Sequence, residues 1–315
     1  MKRIALIFPG QGSQYPGMGK EMAASFAQAK ETFEEADDLL AENLSRIILD
    51  GPENELTKTK NSQLGIFVVS AAILRALEGQ IGKLSLTACS GLSLGEYTAL
   101  WASGRLSFRE TLFLIRERAR LMNEACETRA GAMAAVLGLN EAEVLNALKS
   151  LSDVWVANYH CPGQIVISGT KNGVNEASAA LKNAGAKRVL PLQVSGAFHS
   201  GLMQSAQDGL KPFIERSGIC ESKVPFVMNV PGDFVSSATA VQANLISQVT
   251  HSVRWEQGIL AIEKAGVDLY VEIGCGKTLS GLNRKIGVES PTISIEKLEE
   301  FEPAASQMQG AVCSC

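Results

Sequence analysis

The sequence predicts a mixed α/β protein, with a large domain built on a mostly parallel sheet and a smaller unit inserted into it. Short apolar runs alternate with amphipathic helices over residues 1–126 and 196–315, which is typical of a parallel sheet covered by helices. Residues 127–195 instead predict elements in the order β-α-β-β-α-β, the order of a split βαβ unit. We therefore expect one domain from the two outer segments and a subdomain between them.

The first outer segment begins with a buried strand. Ile4–Phe8 is a short apolar run that ends at a Pro-Gly pair, which indicates a strand followed by a loop. Ser107 and Glu110 have the spacing of a capping box, so a helix is expected from there to about Cys126. The other expected elements are helices over 18–43, 62–77 and 94–103 and a strand over 85–89.

The middle segment has shorter elements. Asn140 is a suitable cap for its first helix, Gly185 is suited to end its second, and the Pro-Gly pair at 162–163 predicts a turn between two strands. Together they predict a ferredoxin-like subdomain. The expected elements are strands over 132–137, 154–157, 164–168 and 188–192 and helices over 140–148 and 171–184.

The last outer segment returns to the alternating pattern. Its expected strands cover 225–229, 269–272 and 291–295. After Ile295 we expect a loosely held tail, and Cys313 and Cys315 are expected to lie in a disordered end rather than in a metal site or a disulfide.

The composition excludes several classes of function. The chain has 315 residues, of which 46% are hydrophobic and 20% charged, and its formal net charge is −4. A general nucleic-acid surface would need an excess of basic residues, so no nucleic-acid partner is expected. Seven scattered cysteines show no metal-ligand spacing, which favours reduced thiols and no metal site.

The N-terminus and the apolar runs predict a cytoplasmic protein with no membrane partner. Five apolar residues separate the basic pair at 2–3 from Pro9, which is too short for a secretory signal. No apolar run approaches the roughly 18 residues that a membrane span needs.

Two glycine-rich stretches resemble nucleotide-binding motifs but lack required residues. Residues 10–15 lack the third glycine of a dinucleotide fingerprint, and Val271 stands where a P-loop ending at 276–278 needs its first glycine. We therefore expect no cofactor.

The stretch CSGLSLGEY, residues 89–97, places Ser93 between Gly91 and Gly95. An apolar run precedes it and a helical pattern follows, which together predict a nucleophile elbow and an α/β-hydrolase-like large domain. The helix N-terminus behind such a serine offers free N–H groups to an oxyanion. The alternative is a glycine-rich turn in which Ser93 only caps a helix.

A nucleophilic serine needs a base, and the chain has three histidines, His160, His199 and His251. His199 follows a predicted strand and precedes a helix, so its loop is the best placed to reach across a cleft. No aspartate is evident as its partner, so a backbone carbonyl or an amide must orient the ring.

Six stretches in order resemble the malonyl-CoA:acyl carrier protein transacylases, over about residues 3–296. This likeness is highly specific because the motifs occur in the family's sequence order. They are FPGQGSQYPGMG (8–19), GLSLGEYTAL (91–100), RERARLM (116–122), GAFHSGLM (196–203), VRW (253–255) and VEIGCGKTLSGL (271–282).

The resemblance implies catalytic roles at the matching positions. Ser93 would attack the thioester, and His199 would take its proton. The backbone N–H groups of Leu94 and Gln11 would form the oxyanion hole, and the main-chain carbonyl of Gln248 would orient the histidine.

The resemblance also implies how the substrate is held. Arg118 would pair with the free malonyl carboxylate, since a guanidinium binds a carboxylate in a bidentate manner. Met122 lies one turn further, on the substrate side, and is expected to be largely core. Arg116 and Arg120 are expected to face solvent. The chain departs from the family's usual residues at Leu92, Ala119, Asn123 and Cys275.

The implied reaction is transfer of malonyl from malonyl-CoA to the phosphopantetheine thiol of acyl carrier protein through a malonyl-serine. The elbow alone would equally support a serine hydrolase or thioesterase acting on acyl-CoA. Two further alternatives are a trans-acting acyltransferase of a polyketide synthase and a docking subunit without chemistry.

Overall fold

A four-stranded parallel sheet lies at the centre of the larger part of the molecule in the computed structural model, which describes residues 2–194, 196–309 and 311. The strands are β1 Ile4–Phe8, β2 Leu86–Gly91, β3 Ala132–Leu137, β4 Val154–Cys161, β5 Gln164–Gly169, β6 Arg188–Pro191, β7 Val227–Met228, β8 Asp233–Phe234, β9 Val253–Arg254, β10 Leu269–Ile273 and β11 Thr292–Ile295.

Helices cover the strands, and both predicted caps form as capping boxes, at Ser107 and at Asn140. The helices are α1 Lys20–Ser25, α2 Ala27–Leu40, α3 Leu44–Asp50, α4 Glu53–Leu56, α5 Thr59–Ile81, α6 Gly95–Ala102, α7 Phe108–Thr128, α8 Glu141–Leu148, α9 Lys171–Asn183, α10 Gln204–Arg216, α11 Ala238–Gln248, α12 Trp255–Ala265, α13 Thr278–Ile286 and α14 Leu298–Met308, with a 3₁₀ turn at Gly201–Met203.

The central sheet has the order β11-β10-β1-β2, and every pair in it is parallel. This confirms the mixed α/β class with a parallel sheet. The strand expected at 225–229 differs: only β7 forms there, antiparallel to β8, with one parallel bridge from Phe226 to Cys89. The Pro-Gly pair at 231–232 reverses the chain at once and makes a hairpin instead.

A second sheet has the order β6-β3-β5-β4-β9. The first three pairings are antiparallel, and β9 joins β4 in parallel through Asn158 with Val253 and Tyr159 with Arg254. This sheet therefore takes one short strand from outside residues 127–195. That strand, β9, links the inserted segment to the last outer segment through its pairing with β4.

Helix α5 is longer than the predicted helix over 62–77 and is buried along most of its length. It is long and apolar enough to cross a membrane, but 72% of its most apolar stretch is buried inside the chain. Because it packs between α2, α7 and the central sheet, apolar residues are required on nearly all of its faces.

Two expectations near the surface are wrong. The helix expected over 18–43 breaks at Phe26, whose backbone is extended and whose ring stacks on Phe301 at 4.3 Å.

The chain after Ile295 is not loosely held, because α14 buries Phe301 and Met308 completely. The spacing of the buried residues at 301, 304, 305 and 308 is helical and could have revealed this helix. Cys313 and Cys315 lie outside the described residues.

Helix α6 begins in close contact with two strands. A Cβ on Gly95 would lie closer than 3.0 Å to the backbone of Phe8, and a Cβ on Gly91 equally close to the backbone of Gly95. The turn between them puts Ser93 at φ 51°, in the left-handed region. The two glycines therefore permit a turn that no larger residue would allow.

Gly95→Ala should destabilise the protein by about 2–3 kcal/mol, because the added methyl group must displace backbone atoms. Gly281→Ala is the matched control: it lies within α13 with open space around it, so it should be neutral or stabilising by up to about 1 kcal/mol. Urea unfolding of the three proteins measures both effects. Equal stability of Gly95→Ala and the wild type would contradict the tight packing.

Candidate active site

The turn between β2 and α6 holds Ser93 from both sides. The backbone N–H of Ser93 donates to Oδ1 of Asn229 at 2.7 Å, and its carbonyl accepts from Nε2 of Gln248 at 2.9 Å. Nδ2 of Asn229 also donates to the carbonyl of Gly91 at 2.7 Å. A left-handed non-glycine residue costs about 1–3 kcal/mol, so these contacts hold a strained conformation in place.

His199 faces the serine hydroxyl. Its Nε2 lies 2.8 Å from Oγ of Ser93, and its Nδ1 lies 2.8 Å from the main-chain carbonyl of Gln248. Because a carbonyl only accepts, Nδ1 must carry the proton, and Nε2 is left as an acceptor for the serine O–H. The ring is thus oriented to remove the proton from Ser93.

His199 is neutral at physiological pH. Burial, and after it the positive charge of Arg118, lowers the pKa of His199 to about 4. Hydrogen bonds to the backbone at Gln248 and His251 oppose this shift only in part. The imidazole is therefore available as a base over the whole neutral range.

The other two histidines have different surroundings. His160 lines the cleft that contains Ser93, and its Nδ1 lies 3.5 Å from Nε2 of Gln164. His251 is exposed, and its Nδ1 lies 2.9 Å from the carbonyl of Ser247. Among the described residues, only His199 of the three contacts Ser93.

Arg118 reaches the serine from α7 and is only 1% exposed. Its Nη2 donates to Oγ of Ser93 and to Oε1 of Gln248, both at 3.1 Å, and its Nη1 donates to Oε1 of Gln63 at 2.6 Å. The guanidinium also lies over the ring of Tyr97 at 5.4 Å. It is therefore a core residue beside the nucleophile, not part of a solvated helix face.

The charge of Arg118 is available to a ligand. Burial lowers the pKa of Arg118, an effect that the charges of Tyr97 and Glu96 oppose, yet an arginine keeps its proton. Its hydrogen-bond partners within the described residues are the neutral Gln63, Ser93 and Gln248, and no carboxylate is in direct contact with it. Arg116 and Arg120 behave as expected, since both lie on the exposed side of α7 with Glu117. A buried, unpaired guanidinium beside a serine hydroxyl favours an anionic ligand.

Gln11 and Leu94 belong to two chain segments that meet beside the Ser93 turn. Leu94 precedes α6, and Gln11 follows β1 in a loop that presses on the elbow: a Cβ on Gly10 would lie 2.6 Å from the carbonyl oxygen of Leu92. The backbone N–H groups of Gln11 and Leu94 donate no hydrogen bond to any described residue. Both donors are thus free to bind an oxyanion.

One cleft of about 660 Å³ is lined by Gln11, Ser93, Arg118 and His199. Met122 forms part of its wall and is 2% exposed, with its sulfur 3.8 Å from Nε2 of Gln63, so it belongs both to the core and to the site. Asn123 also lines the cleft, and its Nδ2 donates to Oε1 of Glu127 at 2.8 Å. Within the described residues, no cluster of three His, Cys, Asp or Glu is placed to hold a metal ion.

Three polar residues of the site were not anticipated from the sequence: Gln63, Asn229 and Glu96. Gln63 and Glu96 are fully buried, and Asn229 is 2% exposed. Each stands in or beside an apolar stretch. For Gln63 and Glu96, the sequence feature that could have revealed them is a polar side chain within an apolar helix.

Comparison with known proteins shows to which family the chain belongs. Residues 5–285 match the acyl transferase domain family. The malonyl CoA-acyl carrier protein transacylase of Bacillus subtilis (strain 168) is 42% identical over 98% of each chain. The acyl-carrier-protein-S-malonyltransferase structure from Bartonella henselae superposes with a TM-score of 0.92 at 38% identity, covering 97% of this chain and 99% of that one.

A further solved structure contains a malonyl-transacylase in complex with its type II PKS acyl-carrier protein. It superposes with a TM-score of 0.93 at 35% identity and covers 97% of this chain and 100% of that one. The similarity thus extends over nearly the whole chain in both sequence and structure. The chain belongs to the acyl transferase domain family and, within it, to the malonyl CoA-acyl carrier protein transacylases.

Proposed function

We propose that the protein transfers a malonyl group from malonyl-CoA to the phosphopantetheine thiol of acyl carrier protein, through a malonyl ester of Ser93. One observation carries this proposal: the serine hydroxyl lies 2.8 Å from a neutral imidazole and 3.1 Å from an unpaired, buried guanidinium. The named activity of the relatives agrees with it.

In the first half of the reaction, the hydroxyl oxygen of Ser93 attacks the thioester carbonyl while Nε2 of His199 takes its proton. The N–H groups of Leu94 and Gln11 would bind the oxyanion of the tetrahedral intermediate. Collapse of that intermediate breaks the C–S bond, and His199 returns its proton to the CoA thiolate. The malonyl ester remains on Ser93.

In the second half, the thiol of the carrier protein takes the place of CoA. His199 removes the thiol proton, the thiolate attacks the ester, and the proton passes to the departing oxygen of Ser93. The chemistry is the same whether the carrier serves fatty acid or polyketide synthesis.

Arg118 would select the acyl group. Its guanidinium can bind the free malonyl carboxylate through two parallel hydrogen bonds, whereas an acetyl group would leave a buried charge without a partner. Met122 would form the apolar wall of the same pocket.

We also propose the finer architecture: an α/β-hydrolase-like domain of residues 1–126 and 196–315 and a ferredoxin-like subdomain of 127–195. The elbow after β2 supports the first, and the antiparallel order β6-β3-β5-β4 supports the second. A cytoplasmic location is supported by the five described cysteines, which are all free thiols.

Incubation with malonyl-CoA should add one malonyl group to Ser93, detectable by peptide mass spectrometry, and Ser93→Ala should abolish the adduct because, among the residues that the structure describes, Ser93 is the one hydroxyl hydrogen-bonded to His199. Adding acyl carrier protein should then discharge the adduct onto the carrier thiol. Rapid release of malonate without a carrier would instead indicate a hydrolase, and no adduct at all would indicate a subunit without chemistry.

Arg118→Ala should lower the ratio of kcat/KM for malonyl-CoA to that for acetyl-CoA by about a hundredfold or more, as the loss of two charge-assisted hydrogen bonds implies. Arg120→Ala is the matched control, since Arg120 lies on the exposed face of the same helix. Single-turnover acylation with each substrate gives the ratio. If the ratio is the same in both variants, Arg118 does not recognise the carboxylate.

The second-order rate constant for acylation at low malonyl-CoA, which reports the pKa of the free enzyme, should stay constant from pH 7 to about pH 5 and fall as the pH passes through about 4, because only the neutral form of His199 accepts a proton. In Arg118→Ala this fall should begin at higher pH, since removing a like charge raises the pKa of the histidine. Stopped-flow acylation measures both profiles, with circular dichroism to exclude unfolding. A midpoint near 6.5 in the wild type would be inconsistent with the buried histidine.

A further inference from the structure

Glu96 is a buried carboxyl group that the reaction steps do not use. It lies in the first turn of α6, three residues after Ser93, and is 0% exposed. Oε1 accepts from the backbone N–H of Asn229 at 2.5 Å, and Oε2 accepts from Nε2 of Gln248 at 2.6 Å. Burying a carboxyl group is unfavourable unless it is hydrogen-bonded, so both contacts constrain their partners.

The two partners of Glu96 are the residues that hold the elbow. Asn229 binds the backbone N–H of Ser93, and Gln248 binds its carbonyl. Gln248 also carries the carbonyl that orients His199. Glu96 therefore binds both residues that hold the Ser93 turn, and one of them, Gln248, also orients His199.

Glu96 also determines which end of the Gln248 amide faces Arg118. With Nε2 directed to Glu96 and to the carbonyl of Ser93, Oε1 is left to accept from Nη2 of Arg118 at 3.1 Å. The reversed amide would set its oxygen against two acceptors and its nitrogen against the guanidinium donors. The hydrogen bonds that link Glu96 through Gln248 to Arg118 therefore favour one orientation of the Gln248 amide.

We propose that Glu96 is a positioning residue for acyl selection: by fixing the Gln248 side chain, it holds the Arg118 guanidinium in the orientation that receives the acyl carboxylate. This inference rests on the proposed function, because it concerns recognition of malonyl. It predicts that a change at Glu96 alters the preference between acyl groups and not only the overall rate.

The protonation state of Glu96 does not change this role. Burial raises the pKa of Glu96 to about 8, while the hydrogen bonds from Asn229 and Gln248 and the charge of Arg118 lower it. A neutral carboxyl group keeps a carbonyl oxygen that accepts from Nε2 of Gln248. Its added O–H donor does not favour the reversed amide, because the Ser93 carbonyl still needs Nε2 and the Arg118 guanidinium still needs Oε1. The amide nitrogen of a glutamine, in contrast, cannot accept a hydrogen bond. Glu96→Gln therefore preserves the shape of the side chain and removes one hydrogen-bond acceptor, whether Glu96 is charged or neutral.

The test compares kcat/KM for malonyl-CoA and acetyl-CoA in the wild type, Glu96→Gln, Gln248→Met and the double variant. Glu96→Gln should lower the malonyl-to-acetyl ratio by about tenfold to a hundredfold, since a displacement of roughly 1 Å has effects of this size. Gln248→Met should lower it similarly, and the double variant should be no worse, because both changes cut the same chain of contacts. The control is Glu31→Gln, an exposed carboxylate on α2, which should leave the ratio unchanged.

A folded Glu96→Gln enzyme that loses both activities in parallel, with its ratio unchanged, would overturn the inference, as would additive effects in the double variant. If Glu96→Gln does not fold, Gln248→Met decides, and a wild-type ratio in that variant overturns the inference. A wild-type protein that forms no malonyl-Ser93 would overturn the proposed function itself, whereas an unchanged ratio in an active variant overturns only the role of Glu96.

Discussion

The close packing of α6 against β1 and β2 is the constraint on which the candidate site depends. Because the backbone of Gly95 touches that of Phe8 and Gly91, the chain has no room for an ordinary strand-to-helix connection. Ser93 is therefore left-handed. Its carbonyl accepts from the backbone N–H of Glu96 at 3.2 Å, whereas its own N–H finds no backbone acceptor among the described residues. Buried backbone groups need partners, and the side chains that bind this N–H and add a second bond to this carbonyl, Asn229 and Gln248, come from the far part of the chain.

The same burial that makes these partners necessary makes the site reactive. Away from water, the charge of Arg118 is weakly screened, and it acts together with desolvation to keep His199 neutral. The groups in contact with the reacting hydroxyl are polar and are fixed by hydrogen bonds, so little reorganisation is needed when charge develops there. A polar, preorganised environment replaces water as the solvent of the reaction.

Features set by local chemistry could be predicted from the sequence: the strand Ile4–Phe8, the capping box at Ser107, the helix cap at Asn140, and a serine on a glycine-flanked turn. Features set by distant contacts could not. Phe26 interrupts a helical pattern because its ring stacks on Phe301, some 275 positions away. Likewise nothing near Ser93 in the sequence reveals Asn229, because its role exists only once the hairpin β7-β8 lies beside β2.

Under the proposed function, Arg118 has opposing effects on the two reacting groups. Its hydrogen bond to Oγ of Ser93 favours the alkoxide, while its charge lowers the pKa of His199 and weakens the base. A malonyl carboxylate paired with the guanidinium would cancel that charge and raise the pKa of the histidine toward the value at which a base works best. An acetyl group would leave the charge in place. The preference for malonyl would then lie in proton transfer as well as in binding, so that the correct substrate itself improves the base that activates Ser93.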